Sequence, residues 1–122
     1  MPKSIIIVDD SNSIRKMVEF TLKTKGYTVG TAVDGQEGLD MLEEKDYDLV
    51  ILDINMPKVD GFQFLETIRG NEKHQKIPVV MLTTEGQDDD RNKALKLGAT
   101  DYMVKPFKPT ELIEKANQIL SE

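Results

Sequence analysis

Three carboxylates, Asp9, Asp10 and Asp53, stand at the ends of short apolar runs in this 122-residue sequence. Carboxylates that gather at one point repel each other, and at least one pKa then rises unless a cation neutralises the charge. Mg²⁺ suits such a group because it takes few protein oxygens, keeps several waters and leaves positions for phosphate oxygens. If the fold brings the three side chains together, they predict a magnesium site.

A hydroxyl pair and an ammonium group follow two further apolar runs: Thr83 and Thr84 come after one, and Lys105 after the last. Lys105 offers a point charge to a phosphate, and Thr83 offers a hydroxyl donor. A carboxylate is itself an established covalent acceptor of phosphoryl groups. These residue types together predict a site that receives a phosphoryl group on an Asp. Each residue alone has an ordinary alternative role as a turn acid, a loop threonine or a surface lysine.

The elements that would position these residues are visible as apolar runs, which predict strands over 4–8, 27–32, 48–52, 78–82 and 102–104. The first, third and fourth runs are continuous and rich in β-branched residues, which is typical of strands covered on both faces. A segment with helical periodicity follows each run, so the chain alternates β and α five times. We therefore predict one α/β domain over 1–122, a (βα)5 doubly wound parallel five-stranded sheet.

The predicted sheet would bring the polar residues together. Ligands of open α/β sheets bind beyond the carboxyl ends of the strands, at the point where the strand order reverses. Five strands commonly take the order 2-1-3-4-5, which places this point between the first and third strands. Asp10 and Asp53 would then meet at one edge of the sheet.

Local patterns predict how several helices begin and end. Asp34 and Thr110 are predicted N-caps of the second and fifth helices, and Gly26 is the predicted C′ glycine of the first. Gly61 is predicted to begin the third helix. The acids 88–90 open the fourth helix, where negative charge suits the helix dipole. This helix has the thinnest apolar stripe, so we expect it to be the least firmly docked.

Composition argues against several classes of protein. The chain has no cysteine, which removes disulfides, thiolate nucleophiles and zinc–thiolate sites. The single histidine, His74, lies in a polar stretch and is predicted to be solvated surface. A formal net charge of −6 argues against a nucleic-acid partner. No apolar run approaches the roughly eighteen residues of a membrane span, and none suits a signal peptide, so we expect a cytoplasmic protein without a membrane partner.

Four sequence blocks, in this order and spacing, resemble the receiver domains of two-component response regulators: IIIVDD, ILDINMP, VVMLTTE and YMVKPF. The resemblance extends from Lys3 to about Leu120 and is greatest to free-standing, CheY-like chemotaxis regulators. Such domains have a flavodoxin-like fold with strand order 2-1-3-4-5, so the predicted order also rests on the resemblance.

The resemblance implies a metal site and a phosphoacceptor. Asp53 would be the phosphoacceptor. Asp10, Asp53 and the backbone carbonyl of Asn55 would ligate Mg²⁺, and Asp9 would act through a metal-bound water.

The resemblance also implies switch residues. Lys105 would pair with the phosphoryl group, Thr83 would bind one of its oxygens, and Tyr102 would turn inward when Thr83 moves. The Lys105–Pro106 peptide bond would be cis.

Three further positions are implied to tune the lifetime of the phosphoaspartate. Asn55 and Glu85 have the residue types of chemotaxis regulators at the positions that control its hydrolysis. Thr84 departs from the small residue that is frequent at its position, and its branched side chain could narrow access to the phosphate.

The mechanism implied is in-line attack by Asp53 on the phosphohistidine of a histidine kinase. The chain would catalyse its own phosphorylation and dephosphorylation and would not otherwise be an enzyme. Further expected partners are a downstream protein such as a flagellar motor switch protein and a phosphatase, with the chain itself a monomer. Chemotaxis is the favoured pathway; a phosphorelay intermediate or a receiver excised from a larger regulator are alternatives.

Other classes of protein share parts of this pattern. Haloacid-dehalogenase phosphatases use a strand-end Asp with Mg²⁺, but they need a second Asp two residues later, where this chain has Asn55. Flavodoxins need a Thr/Ser/Gly-rich phosphate loop after the first strand, and the segment DDSNSIRK has no glycine. A degenerate receiver that acts only as a binding module is a further alternative.

Overall fold

The computed structural model describes residues 2–56, 59–84 and 88–121. Strands and helices alternate along the chain as β1 Ser4–Val8, α1 Asn12–Thr24, β2 Thr28–Ala32, α2 Gly35–Glu44, β3 Leu49–Asp53, α3 Gly61–Arg69, β4 Val79–Thr84, α4 Asp88–Lys96, β5 Asp101–Lys105 and α5 Pro109–Leu120. All strand pairs are parallel, and the order is β2-β1-β3-β4-β5. The predicted (βα)5 sheet and its strand order are therefore confirmed.

Helices cover both faces of the sheet, because alternate residues of each central strand point to opposite layers. Ile5 and Ile7 of β1 pack with apolar side chains of α1 and α5. Ile6 and Val8 pack on the other face, with apolar side chains of α2, α3 and α4. This two-sided burial explains why β1, β3 and β4 are continuous apolar runs. Among the described helices, none is long and apolar enough to cross a bilayer.

The predicted start of α2 and the predicted end of α1 are confirmed. The carboxylate of Asp34 accepts a hydrogen bond of 2.8 Å from the backbone N–H of Glu37, which is the N-cap contact of α2. Gly26 follows α1 with a φ of 91°, a left-handed conformation that glycine adopts without a β-carbon clash.

The predicted N-cap role of Thr110 is wrong. Helix α5 begins one residue earlier, at Pro109, and its N-cap is Lys108, which makes no side-chain capping hydrogen bond. Proline fixes φ near the helical value and lacks one of the N–H groups that the start of a helix leaves without a partner, so Pro109 suits the first position of α5.

The predicted solvent exposure of His74 is also wrong, since this residue is only 7% exposed. It lies in the turn between α3 and β4, and its Nε2 is 3.5 Å from Oε1 of Glu43 in α2. The neighbouring Lys73 reaches the carbonyl of Glu43 at 3.5 Å. The polar turn therefore lies against the end of α2, a contact that local composition does not reveal.

Gly61 begins α3 as predicted, but its role extends beyond starting a helix. Its backbone N–H donates to the carbonyl of Ile54 at 2.9 Å, so the first turn of α3 lies directly against the end of β3. A β-carbon at this position would lie 2.5 Å from the carbonyl oxygen of Asp53 and 2.6 Å from the Cα of Ile54. Only glycine allows this close approach.

We expect Gly61→Ala to lower the free energy of unfolding by about 1–3 kcal/mol, because the added methyl group must push α3 away from β3. Gly70→Ala, at the other end of the same helix, is the matched control. A β-carbon there would meet nothing closer than 3.5 Å, so we expect no loss and a gain of up to about 1 kcal/mol. Urea denaturation followed by circular dichroism measures both. Equal effects of the two substitutions would contradict the close-approach explanation.

Candidate functional site

Three acids meet beyond the carboxyl ends of β1 and β3, which are neighbours in the sheet. Asp9, Asp10 and Asp53 each place a carboxylate oxygen within 4.8 Å of the others. Asp9 is fully buried, Asp53 is 5% exposed and Asp10 is exposed. The structure thus brings together the acids that the sequence singled out, with two of them inside the protein and one at its surface.

Lys105, the last residue of β5, reaches across to this acid cluster. Its Nζ lies 2.9 Å from Oδ2 of Asp9 and 3.2 Å from Oδ1 of Asp53. Strand β4 separates β5 from β3, so only a long side chain can span the distance. The lysine therefore makes ion pairs with both buried carboxylates at once.

Burial and charge together shift the pKa of Asp53. Removal from water is the largest cause and the charge of Asp9 is the second, and they raise the pKa of Asp53 from 3.8 to about 6. The Lys105 ammonium and the backbone N–H of Asn55 act in the opposite direction. Burial alone would lower the pKa of Lys105, but its hydrogen bonds and charge pairing with the two carboxylates raise it instead. The lysine therefore stays charged, while Asp53 ionises less readily than an ordinary aspartate.

Backbone and side-chain groups that sequence analysis did not select hold Asp9 in place. The Ser11 N–H donates to Oδ1 of Asp9 at 2.9 Å, and Arg15 Nη1 donates to the Asp9 carbonyl at 2.7 Å. Ser11 is also the N-cap of α1, accepting from the Ile14 N–H. A serine before an amphipathic segment is a recognisable cap signal. The Arg15 contact has no comparable signal, since it depends on how α1 is oriented on the sheet.

Thr83 and Thr84 end β4 with opposite exposure. Thr83 is buried, and its Oγ1 is 3.5 Å from the carbonyl of Met103 in β5. Thr84 is exposed. Since β4 lies between β3 and β5, the carboxyl end of β4 and its buried hydroxyl are beside the acid cluster.

Tyr102 lies on the same face of the sheet as Thr83. The residue paired with Thr83 is Val104, and Tyr102 stands two residues before it. Tyr102 is half-buried, packs against the apolar core, and its hydroxyl accepts a hydrogen bond of 3.2 Å from Arg91 of α4.

The remaining predicted site residues lie in the adjoining loops. Asn55 is exposed and lies two residues after the end of β3. The Lys105–Pro106 peptide bond is cis, as the resemblance implied. Glu85 lies outside the described residues.

Gly35 is a further residue of this region that sequence analysis did not select. It begins α2, and a β-carbon there would overlap the backbone of Val59, in the loop that follows β3. Together with Gly61, which lies against Asp53, it allows two helix N-termini to approach the segment between β3 and α3. The glycines are visible in the sequence, but nothing in it shows which backbone each one approaches.

The site has the groups needed to hold a divalent cation and a phosphate. Its acids gather within ligand distance of one another, one of them is buried with a raised pKa, and a charged ammonium lies beside it. Oxygen ligands of this kind suit Mg²⁺, which leaves positions open for phosphate oxygens.

Comparisons with known proteins agree with this geometry. The sequence model of the response regulator receiver domain matches residues 5–117. The chain is 46% identical over 118 residues to a probable transcriptional regulator, ycf27, of Guillardia theta, covering 97% of this chain and 45% of that protein. It is 39% identical over 120 residues to the alkaline phosphatase synthesis transcriptional regulatory protein PhoP of Bacillus subtilis, covering 98% and 49%. The chain thus spans about half the length of these curated relatives.

Solved structures show the same fold. The chemotaxis response regulator CheY4 of Vibrio cholerae superposes with a TM-score of 0.93 and 38% identity, covering 98% of this chain and 100% of that one. The receiver domain of NtrX from Brucella abortus superposes with a TM-score of 0.89 and 34% identity, covering 95% and 97%. The protein therefore belongs to the response regulator receiver domain family.

Proposed function

We propose that this receiver domain is a phosphoacceptor that takes a phosphoryl group from a histidine kinase onto Asp53. The observation that carries the proposal is the Lys105 ammonium, which lies within 3.2 Å of a buried carboxylate whose pKa is raised. A carboxylate without a nearby cation would repel a phosphoryl group. Here the ammonium is already in place to offset that repulsion.

Mg²⁺ fits the acid cluster. Asp9, Asp10 and Asp53 supply oxygens that all lie within 4.8 Å of one another, close enough for one ion. The pKa of Asp53 is raised, first by burial and then by the charge of Asp9, and a cation would offset that second effect. Asp10, Asp53 and the Asn55 carbonyl would hold the ion, with Asp9 acting through a water. When bound, Mg²⁺ supplies positive charge that offsets the repulsion between Asp53 and the phosphoryl oxygens.

The chain's own residues then carry out the transfer. A carboxylate oxygen of Asp53 attacks the phosphorus in line, the new O–P bond forms, and the P–N bond of the phosphohistidine breaks. The electron pair of that bond returns to the imidazole of the kinase. Lys105 pairs with a phosphoryl oxygen, and the Thr83 hydroxyl donates a hydrogen bond to another. Tyr102 moves toward the position that Thr83 leaves.

The energy of this switch must come from several groups. Moving a two-state equilibrium from 1:99 to 99:1 needs about 5.5 kcal/mol of differential interaction. One hydrogen bond from Thr83 to a charged phosphate supplies roughly 1.5–3 kcal/mol. Lys105 and the downstream partner must contribute the rest, so phosphorylation without a partner should activate the protein only in part.

The proposed function also includes the location and oligomeric state of the protein and the control of phosphoaspartate hydrolysis. The protein is a cytoplasmic monomer that turns over only its own phosphoryl group and no separate substrate. Asn55, Glu85 and Thr84 tune the hydrolysis of the phosphoaspartate, and a partner phosphatase could accelerate that hydrolysis.

Two outputs have support. Transcriptional control is supported by 46% identity to a probable transcriptional regulator. Control of the flagellar motor, the output favoured from sequence, is supported by the likeness to CheY4 along the whole of that chain. Binding to purified flagellar switch protein, measured with and without a beryllofluoride phosphate mimic, separates the two outputs. Affinity that rises with the mimic supports motor control, and absence of binding in both states removes it.

Acetyl phosphate tests the chemistry directly. With Mg²⁺ present, the protein should gain one phosphoryl group that is labile to hydroxylamine, as followed by intact mass. Asp53→Asn should abolish the gain because the attacking oxygen is replaced by an amide. The matched control is Asp46→Asn, an exposed acid in the loop before β3, which should label as the wild type does. Labelling of Asp53→Asn at the wild-type level would contradict the assignment of the phosphoacceptor.

The electrostatics of the site predict the pKa of Asp53 in metal-free protein, measured by carboxyl-carbon NMR. We expect a value of about 6 in the wild type. Asp9→Asn should lower this pKa because it removes a neighbouring negative charge, and Lys105→Met should raise it because it removes the paired cation. Shifts of the same sign in both variants would contradict this electrostatic account.

The same pKa makes stability depend on pH. An acid whose pKa is higher in the folded than in the unfolded chain favours folding only while it is protonated. The contribution of Asp53 to the free energy of unfolding should therefore fall as pH rises from about 4 to about 6. Asp53→Asn should remove this slope and be the more stable protein at pH 7, by chemical denaturation without Mg²⁺. A variant less stable than the wild type at pH 7 would oppose this account.

A further inference from the structure

Helix α4 has little apolar burial to hold it against the sheet. Ala94 is its one buried residue, and Leu95 is 42% exposed. Its sequence carries acids in the first turn and lysines toward the end. Other interactions must therefore contribute much of the energy that docks this helix.

Cationic side chains connect α4 and the turn after it to neighbouring elements. Lys93 of α4 places its Nζ 4.4 Å from the centre of the Phe62 ring in α3. Arg69 of α3 donates from Nε to the carbonyl of Gly98, just after α4, at 3.0 Å. Such contacts are weak one by one, since an exposed cation–π pair contributes only about 0.5–1 kcal/mol.

Arg91 makes the corresponding connection to β5. Its guanidinium carbon lies 5.0 Å from the centre of the Tyr102 ring, and its Nη1 donates to the Tyr102 hydroxyl at 3.2 Å. Asp88, one turn earlier in α4, lies 3.7 Å from Nη2 of Arg91. One side chain thus contacts both the ring face and the hydroxyl of Tyr102.

The position of Tyr102 gives this contact its importance. Its side chain projects on the same sheet face as Thr83, and its hydroxyl is directed to α4. A ring held at its hydroxyl end by Arg91 cannot turn toward Thr83 without breaking the hydrogen bond and the cation–π contact. The first turn of α4 and the tyrosine ring are therefore mechanically linked.

We propose that Arg91 is a positioning residue for Tyr102, which holds the ring outward against α4 and opposes its movement toward Thr83. The contact between Arg91 and Tyr102 is inferred from the structure alone, whereas its role in signalling rests on the proposed function. Release of the ring and loosening of the first turn of α4 would then be a single event. Arg91 would set the fraction of molecules in which that event has occurred before phosphorylation.

The test measures the ratio of outward to inward χ1 rotamers of Tyr102 by NMR couplings in the unphosphorylated full chain. In Arg91→Gln we expect the ratio to fall by about tenfold, which corresponds to about 1.4 kcal/mol. Arg91→Lys keeps the positive charge but lacks the planar guanidinium group. Its ratio of outward to inward Tyr102 rotamers should therefore lie between those of Arg91→Gln and the wild type. Lys93→Gln is the matched control, because it removes the other cation–π contact of α4 and should leave the Tyr102 rotamers unchanged.

Two results would overturn the inference. An unchanged rotamer ratio in Arg91→Gln would show that the arginine does not hold the ring. An equal change in Lys93→Gln would show that the ring responds to general loosening of α4. A separate arm adds Mg²⁺ and acetyl phosphate to the wild type. Failure to label there would contradict the proposed phosphoacceptor function while leaving the rotamer comparison intact, so the two failures are distinguishable.

Discussion

The structure of the site depends on one cation held between two buried carboxylates. Asp9 and Asp53 are inside the protein at the edge of the sheet, and the Lys105 ammonium contacts both. Taking two like charges out of water is costly unless opposite charge and hydrogen bonds compensate them. The lysine comes from a strand two places away from β3, so this compensation exists only because the sheet has the order 2-1-3-4-5. Fold and site are thus linked through a single side chain.

The backbone around these charges is held in place by steric requirements. Gly61 lets α3 lie directly on the end of β3, and Gly35 lets α2 approach the following loop. The Ser11 N–H and Arg15 fix the segment that carries Asp9. Phosphoryl transfer, the chemistry proposed for this site, depends mostly on positioning and electrostatics, so fixed surroundings of this kind suit it.

Helix α4 differs from the central strands in the kind of interactions that attach it to the rest of the fold. The central strands are held by large apolar side chains that are fully buried on both faces of the sheet. Helix α4 buries only Ala94, and its Arg91 and Lys93 contact aromatic rings of β5 and α3. Arg69 of α3 donates to the carbonyl of Gly98, just after α4. Elements that move in a signalling response are drawn from the less stable parts of a fold. The low apolar burial of this helix therefore fits a receiver whose state is read at its surface.

The sequence by itself determined the strands, the layers and the edge at which the acids meet, because continuous apolar runs and helical periodicity are local properties of the chain. It also selected Asp53 and Lys105 from their places at strand ends. Only the tertiary structure decided that one lysine pairs with two acids, that His74 is buried and that Arg91 contacts Tyr102. These features depend on distances between segments far apart in sequence, and residue type alone does not encode such distances. The turn that contains His74 is polar in composition, and nothing in that composition reveals its contact with Glu43 of α2.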